Sequence, residues 1–240
     1  MTWNRWRIGT AAIVVGVLAF LGVAVVTAVS RDEPDYVSTY TPPRQTSAQP
    51  TVVILGDSFT EAAGDGESQT QFPTLLARKL CWSVVANGQS GTGYEAEGRS
   101  DLNEGTYGSR VDSVLEIDPD IVLIQGSASD PGGQSTAAAA QDVLSRLRAG
   151  LPNAELIAVG PASPPGVAVD RAVADRDAVR AAADAVGVPF LDALTWLDPA
   201  IPSLWSPDNL HPTVEGHSLF AMALANAIED LGTVPTSCSS

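Results

Sequence analysis

Short apolar runs alternate with segments of helical periodicity from residue 51 to residue 231. Residues 51–55 are almost continuously apolar, which is typical of a strand buried on both faces. In residues 72–80 the apolar positions recur instead at helical spacing. The same alternation predicts four more strands, at 83–86, 121–124, 156–159 and 190–191, and four more helices, at 107–117, 135–149, 169–186 and 213–231.

Residues at the ends of these segments support the predicted helices. Ser135 stands where an N-cap belongs, and Gly150 stands where a left-handed residue ends a helix. Gly187 has the same position after the next helix. Pro212 lies just ahead of the first turn of the last helix.

Apolar strands that alternate with helices favour a parallel sheet with helices on both faces. The sequence therefore predicts a three-layer α/β/α sandwich with a flavodoxin-like sheet of about five strands. In such a fold, ligand-binding and catalytic residues lie in the loops that follow the carboxyl ends of the strands.

An uncharged, largely apolar segment precedes this pattern. Residues 8–29 number 22, enough to cross a bilayer as a helix. Arg5 and Arg7 precede the segment, and Asp32 and Glu33 follow it, so the positive-inside rule places the N-terminus in the cytoplasm. A cleaved signal peptide is the alternative, although its apolar region is usually shorter. Either interpretation places the rest of the chain outside the cytoplasm.

These features divide the chain into five parts. A cytoplasmic stub (1–7) and the membrane anchor (8–29) come first, followed by a Pro-rich linker (30–50). The predicted domain spans 51–231, and a polar tail (232–240) ends the chain. We therefore expect a single-pass membrane protein with its C-terminal domain outside, or a secreted protein if the segment is cleaved.

The two cysteines agree with an exported protein. An oxidising compartment allows Cys81 and Cys238 to form a disulfide bond. The alternative is two unpaired thiols, one buried and one exposed. Because an exposed thiol outside the cell is reactive, we predict the bridge.

Composition excludes several classes of partner. The chain has 28 acidic and 13 basic residues, a net charge of −15, without a basic cluster. Nucleic acid is therefore not an expected partner, and the membrane contact is assigned to the N-terminal helix alone. Two histidines and two cysteines do not form a usual metal site, so we expect neither metal nor cofactor.

Polar and glycine residues cluster where the predicted strands end. Several of these polar residues are serines, and a serine hydroxyl is a weak nucleophile that needs a base within hydrogen-bond reach. The four clusters are Gly56-Asp57-Ser58, Asn87-Gly88-Gln89-Ser90-Gly91, Gly126-Ser127-Ala128-Ser129-Asp130 and Asp208-Asn209-Leu210-His211-Pro212.

The chain offers two histidines as candidate bases. His217 lies within the last predicted helix, where a packing or capping role is expected. His211 lies in a loop three residues after Asp208, so the carboxylate can hold one ring nitrogen while the other faces Ser58. An ordinary Asx turn is the alternative interpretation of this segment.

Together these motifs resemble the SGNH (GDSL-type) hydrolases, which are serine esterases and lipases with a flavodoxin-like three-layer fold. The resemblance rests on G-D-S after the first strand and D-x-x-H-P before the last helix, and it covers residues 51–231. It implies that Ser58 is the nucleophile, with its backbone N–H in the oxyanion hole. It also implies that Gly91 supplies a second N–H, that His211 is the base and that Asp208 orients it. Asp57 is expected to hold its loop.

The third block departs from the family pattern. The family usually has Asn before Asp, whereas here Ser129 precedes Asp130. The Ser129 hydroxyl is then the expected third oxyanion donor, with shorter reach than an amide. Ser127 is an alternative donor, and Ser129 as a plain loop residue is another interpretation. Trp205 is a candidate for either the pocket wall or the core.

These observations predict a membrane-tethered extracytoplasmic serine esterase that hydrolyses an acyl ester, acetyl included, through an acyl-enzyme. The expected partners are a small acyl ester or an acylated envelope glycan or lipid. Two alternatives stay open: a catalytically impaired binding domain of the same fold, and an acyltransferase acting on envelope glycans.

Overall fold

Five parallel strands form the sheet at the centre of the domain. The computed structural model describes residues 49–61, 68–102 and 105–234, so the predicted anchor, most of the linker and Cys238 lie outside it. The strand order is β2-β1-β3-β4-β5, with every neighbouring pair parallel. The strands are β1 (Thr51–Gly56), β2 (Ser83–Gly88), β3 (Ile121–Gln125), β4 (Glu155–Val159) and β5 (Phe190–Leu191).

Helices connect the strands and follow the last one. The predicted helix positions are confirmed to within two residues at either end, and a four-residue helix after β1 was not predicted. The helices are α1 (Ser58–Glu61), α2 (Phe72–Leu80), α3 (Tyr107–Ile117), α4 (Gln134–Gly150), α5 (Val169–Val186) and α6 (Val214–Leu231).

The sheet separates two apolar cores. Val52 and Ile54 of β1 pack with α2 and α6 on one face. Val53 and Leu55 pack with α3, α4 and α5 on the other. All four side chains are fully buried, as the continuous apolar run predicts. The three-layer α/β/α arrangement with a five-stranded parallel sheet is thus confirmed.

Local features differ from the prediction at three places. Helix α4 begins after Gly133, so Ser135 lies within its first turn and is not the N-cap. Gly150 is the last residue of α4 and not a left-handed stop; glycine is needed there for packing, because a Cβ would lie 2.6 Å from the side chain of Leu115. The edge strand β2 is partly exposed, with Val85 40% accessible. Gly187, by contrast, ends α5 with φ 70°, as predicted.

The predicted membrane anchor falls outside the described ranges. Across residues 49–61, 68–102 and 105–234, no helix is both long and apolar enough to span a bilayer. The anchor at 8–29 therefore stays a prediction from the sequence.

The predicted disulfide also involves a residue outside these ranges. Cys81 is the C-cap that follows α2, with a left-handed φ of 56°, two residues before β2 begins. We expect thiol titration of the unfolded, unreduced protein, exported through its native route, to find no free thiol. A loop of this length corresponds to about 4–5 kcal/mol of stabilisation in the chain-entropy model. Two titratable thiols would refute the pairing of Cys81 with Cys238.

Candidate active site

A cavity of ≈ 430 Å³ opens at the carboxyl ends of the central strands. Ser58, Gly91, Ser129 and His211 all line it. These residues come from four loops far apart in sequence, and the parallel topology brings the loops to one edge of the sheet, as predicted. A second cavity of ≈ 520 Å³ is lined by α3 and by the segment that precedes it, and no histidine is among its described lining residues.

Ser58 is held at the start of α1, directly after β1. The N–H of Glu61 donates to the carbonyl of Asp57 at 2.9 Å, closing the turn. Phe59 is buried in the core, which fixes the backbone on the other side of Ser58. Gly91 has a φ of 71°, a conformation that glycine adopts without strain. Among the residues that the structure describes, no acceptor is hydrogen-bonded to the backbone N–H of Ser58 or of Gly91.

Asp57 connects the loop that follows β1, here called the first loop (57–58), with the loop that follows β3, here called the third loop (126–133). Its Oδ1 accepts from the N–H of Phe59 at 2.9 Å, and its Oδ2 accepts from the N–H of Ala128 at 3.4 Å. In the amide orientation that satisfies every partner, the Gln125 nitrogen donates to Asp57 Oδ1 at 3.1 Å and to Thr60 Oγ1 at 2.9 Å. Burial raises the pKa of Asp57 to about 6 against these hydrogen bonds. The contacts agree with a loop-holding role.

Asp208 and His211 form a hydrogen-bonded pair at the cavity edge. Asp208 Oδ2 lies 2.6 Å from His211 Nδ1. Asp208 Oδ1 accepts from the N–H groups of Leu210 and His211, so this Asx turn also orients the ring. Burial opposes ionisation, but the hydrogen bonds from His211 and Leu210 outweigh it and lower the pKa of Asp208. The pairing leaves Nε2 as the ring nitrogen available for another partner.

Ser129 lines the cavity, whereas Ser127 is buried behind it. Ser127 Oγ donates to Asp130 Oδ2 at 2.9 Å and accepts from the N–H of Ser129 at 3.2 Å. The Ser129 hydroxyl makes no hydrogen bond to any residue within the described part of the chain. The geometry therefore favours Ser129 over Ser127 as a donor into the cavity.

Asp130 ties the third loop to the segment after β2. Its fully buried carboxylate accepts from the N–H groups of Tyr94, Glu95 and Ala96 at 2.8–3.0 Å. Gly93 makes this approach feasible, because a Cβ there would lie 2.4 Å from Asp130 Oδ2. One buried carboxylate thus connects the loops that carry Gly91 and Ser129.

The other two sequence candidates belong to the core. His217 is fully buried, and its Nδ1 accepts from the N–H of Phe72 at 3.4 Å, at the start of α2. This burial and this contact agree with the packing or capping role expected for His217. Trp205 is 5% exposed and lies in the core, with its ring centroid 6.4 Å from that of Phe59.

Arg171, in the first turn of α5, lines the cavity and was not found by the sequence analysis. Its guanidinium donates to the carbonyls of Ala128, Ser129 and Asp130. No motif marks it, since it lies about forty residues from its partners in sequence. Only the packing of α5 against the third loop reveals it.

Comparison with known proteins places the sequence in a family. The profile of the GDSL-like Lipase/Acylhydrolase family matches residues 54–219. The chain is 26% identical over 192 residues to a GDSL lipase of Mycobacterium tuberculosis, covering 74% of this chain and 80% of that protein.

Solved structures show the same fold. The psychrotrophic esterase EstA from Pseudoalteromonas sp., inhibited by monoethylphosphonate, matches with a TM-score of 0.63 at 19% identity, covering 78% of this chain and 100% of that one. The lipase/acylhydrolase from Enterococcus faecalis matches with a TM-score of 0.62 at 18% identity, covering 80% and 100%. The family membership suggests ester hydrolysis as the class of activity. Because the family profile covers most of the chain and the site motifs lie within the match, this protein belongs to the GDSL-like lipase/acylhydrolase family.

Proposed function

We propose that this protein is a serine esterase that hydrolyses an acyl ester through a covalent acyl-enzyme on Ser58. The observation that carries the proposal is the Asp208–His211 pair, whose 2.6 Å hydrogen bond orients the imidazole beside the cavity that Ser58 also lines. An oriented base near a serine is the arrangement that activates a weak hydroxyl nucleophile.

The proposed reaction has two halves. His211 Nε2 takes the proton of Ser58 Oγ as that oxygen attacks the ester carbonyl, and the resulting tetrahedral intermediate expels the alcohol, which receives the proton from His211. Water then attacks the acyl-enzyme with His211 again as base, and collapse of the second intermediate releases the acid and restores Ser58. Asp208 stabilises the imidazolium formed in each half.

Three donors are proposed for the oxyanion. The backbone N–H groups of Ser58 and Gly91 are available for a ligand, and the Ser129 hydroxyl is the third. Such donors act on charge that develops in the transition state, so they raise the rate more than they strengthen substrate binding.

The cavity suits a small acyl ester. Its volume lies within the range typical of small-molecule sites, and Pro164, Val167 and Leu210 contribute apolar lining that suits an acyl group. The resemblance to a GDSL lipase supports acyl esters as the substrate class. We further propose that residues 8–29 tether the domain outside the cytoplasm, where acylated envelope glycans or lipids are the available substrates.

Hydrolysis of p-nitrophenyl esters tests this function. We expect the purified protein to release p-nitrophenol from a series that runs from acetate to long acyl chains, with Ser58→Ala as the blank. An acyltransferase would instead need an added acceptor for turnover. A binding domain would hydrolyse none of the series.

Variants of Ser129 test the third donor. An oxyanion donor is typically worth about 10²–10³ in turnover, and a rotating hydroxyl should retain part of that effect. We expect Ser129→Ala to lower kcat and Ser129→Asn to raise it, each with little change in KM, measured on one short acyl ester. Unchanged kcat in both variants would show that another group, and not the Ser129 hydroxyl, is the third hydrogen-bond donor to the oxyanion.

A further inference from the structure

Arg171 joins the third loop to α5 through three consecutive carbonyl groups. Its Nε donates to the carbonyl of Asp130 at 3.0 Å, and its Nη2 donates to those of Ser129 at 2.6 Å and Ala128 at 3.2 Å. A planar guanidinium is suited to this task, because its donors are fixed in one rigid fork.

The third loop needs such a partner because of its own composition. Gly126, Gly132 and Gly133 all have left-handed φ values, and glycine gives up more backbone freedom on ordering than any other residue. The Asp57 carboxylate accepts from the N–H of Ala128 in this loop, and the loop's own Asp130 carboxylate accepts from the N–H of Tyr94 in the segment after β2. Arg171 supplies the complementary donors for the carbonyls.

The fork of Arg171 therefore acts on the backbone that carries the Ser129 side chain. The Ser129 carbonyl receives the shortest of the three hydrogen bonds, and Ser129 and Arg171 line the same cavity. A serine hydroxyl reaches less far than an amide, so a small displacement of this backbone moves the donor out of range of an oxyanion.

We propose that Arg171 is a positioning residue for the oxyanion hole, holding the 128–130 backbone so that the Ser129 hydroxyl points into the cavity. The inference rests on the proposed esterase function. Arg171 makes no ion pair with a carboxylate among the residues that the structure describes, and its donors go to backbone carbonyls. This pattern favours backbone positioning over recognition of an anionic substrate.

Kinetics of Arg171→Met and Arg171→Lys test the proposal, with Arg148→Met as the matched control. Arg148 likewise donates to a backbone carbonyl, but only to that of Gly187, and it lies in α4 and does not line the cavity. On a neutral short ester we expect Arg171→Met to lower kcat about tenfold, part of the 10²–10³-fold typical of an oxyanion donor. We expect KM to stay within about twofold, Arg171→Lys to be intermediate and Arg148→Met to match the wild type.

A double variant separates positioning from general stability. If Arg171 acts through Ser129, Arg171→Met should have much less effect on kcat in a Ser129→Ala background, because coupled residues are not additive. Independent, multiplicative effects would overturn the proposal. So would a rise in KM confined to anionic esters, which would make Arg171 a substrate-binding residue.

Hydrogen exchange supplies a readout that does not depend on activity. We expect peptides covering 126–133 to exchange faster in Arg171→Met than in the wild type or in Arg148→Met. Unchanged exchange in these peptides would refute the positioning role even in an active enzyme. If the wild type is inactive but exchange is still faster in Arg171→Met, the esterase function is refuted, and with it the positioning of an oxyanion donor. The same result would confirm that Arg171 holds the 128–130 backbone.

Discussion

Ser58→Ala and His211→Ala should each lower kcat for ester hydrolysis by about 10⁴-fold or more, because nucleophile and base act as one unit. For the same reason the double variant should be little slower than either single variant. The measurement is kcat on a short p-nitrophenyl ester, corrected for spontaneous hydrolysis.

Controls distinguish loss of chemistry from loss of fold. Ser135→Ala removes a hydroxyl from an exposed position in α4 and should leave kcat unchanged. Ser58→Ala should unfold at the wild-type temperature, since Ser58 is only partly buried and follows the well-packed β1. Wild-type turnover in Ser58→Ala would show that the nucleophile lies elsewhere.

Replacing Asp175 should change the pH dependence of folding. This α5 side chain is 1% exposed, and among the described residues neither carboxyl oxygen has a hydrogen-bond partner. Burial, with the nearby charge of Asp130, raises the pKa of Asp175 to about 8, against the opposing effect of Arg171. The folded protein therefore holds this proton in a range where the unfolded chain has already released it.

The sign of the effect follows from proton linkage. Between about pH 4 and pH 8 the folded state binds more protons at Asp175 than the unfolded state, so the free energy of unfolding falls as pH rises. A pKa moved from 3.8 to about 8 corresponds to about 4–6 kcal/mol over that window. The amide of Asp175→Asn does not titrate. The difference in free energy of unfolding between this variant and the wild type should therefore grow in the variant's favour, from near zero at pH 4 to its maximum above pH 8.

Urea denaturation at several pH values between 4 and 8.5 measures this difference. Because the pKa of Asp57 is about 6, the free energy of unfolding of Asp175→Asn should still fall between about pH 4 and pH 6, but less steeply than that of the wild type. A gap between Asp175→Asn and the wild type that does not change with pH would contradict the pKa assigned to Asp175.

The sequence predicts the fold well because its strongest signals are local. Continuous apolar runs such as 51–55 mark strands that are buried on both faces, and these strands proved to be the centre of the sheet. The candidate site follows from the same logic, since parallel strands bring their carboxyl ends to one edge. Ser58 and His211 could thus be placed together from motifs that lie far apart in the chain.

Other features depend on packing between distant segments and have no local signal. Gly150 looked like a helix stop, but its small size serves the contact with Leu115. Arg171 and Asp175 belong to no sequence motif, yet α5 places both of them against the third loop. Their environments depend on how a helix packs against a loop about forty residues earlier in the sequence, which periodicity does not encode.

Trapping the nucleophile is the most direct test for a covalent acyl-enzyme on Ser58. The purified protein is incubated with a fluorophosphonate, and its intact mass and proteolytic peptides are measured by mass spectrometry. We expect one adduct per chain on the peptide that contains Ser58, slow labelling in His211→Ala and none in Ser58→Ala. Stoichiometric labelling of Ser58→Ala, or an adduct mapped to another residue in the wild type, would contradict this expectation.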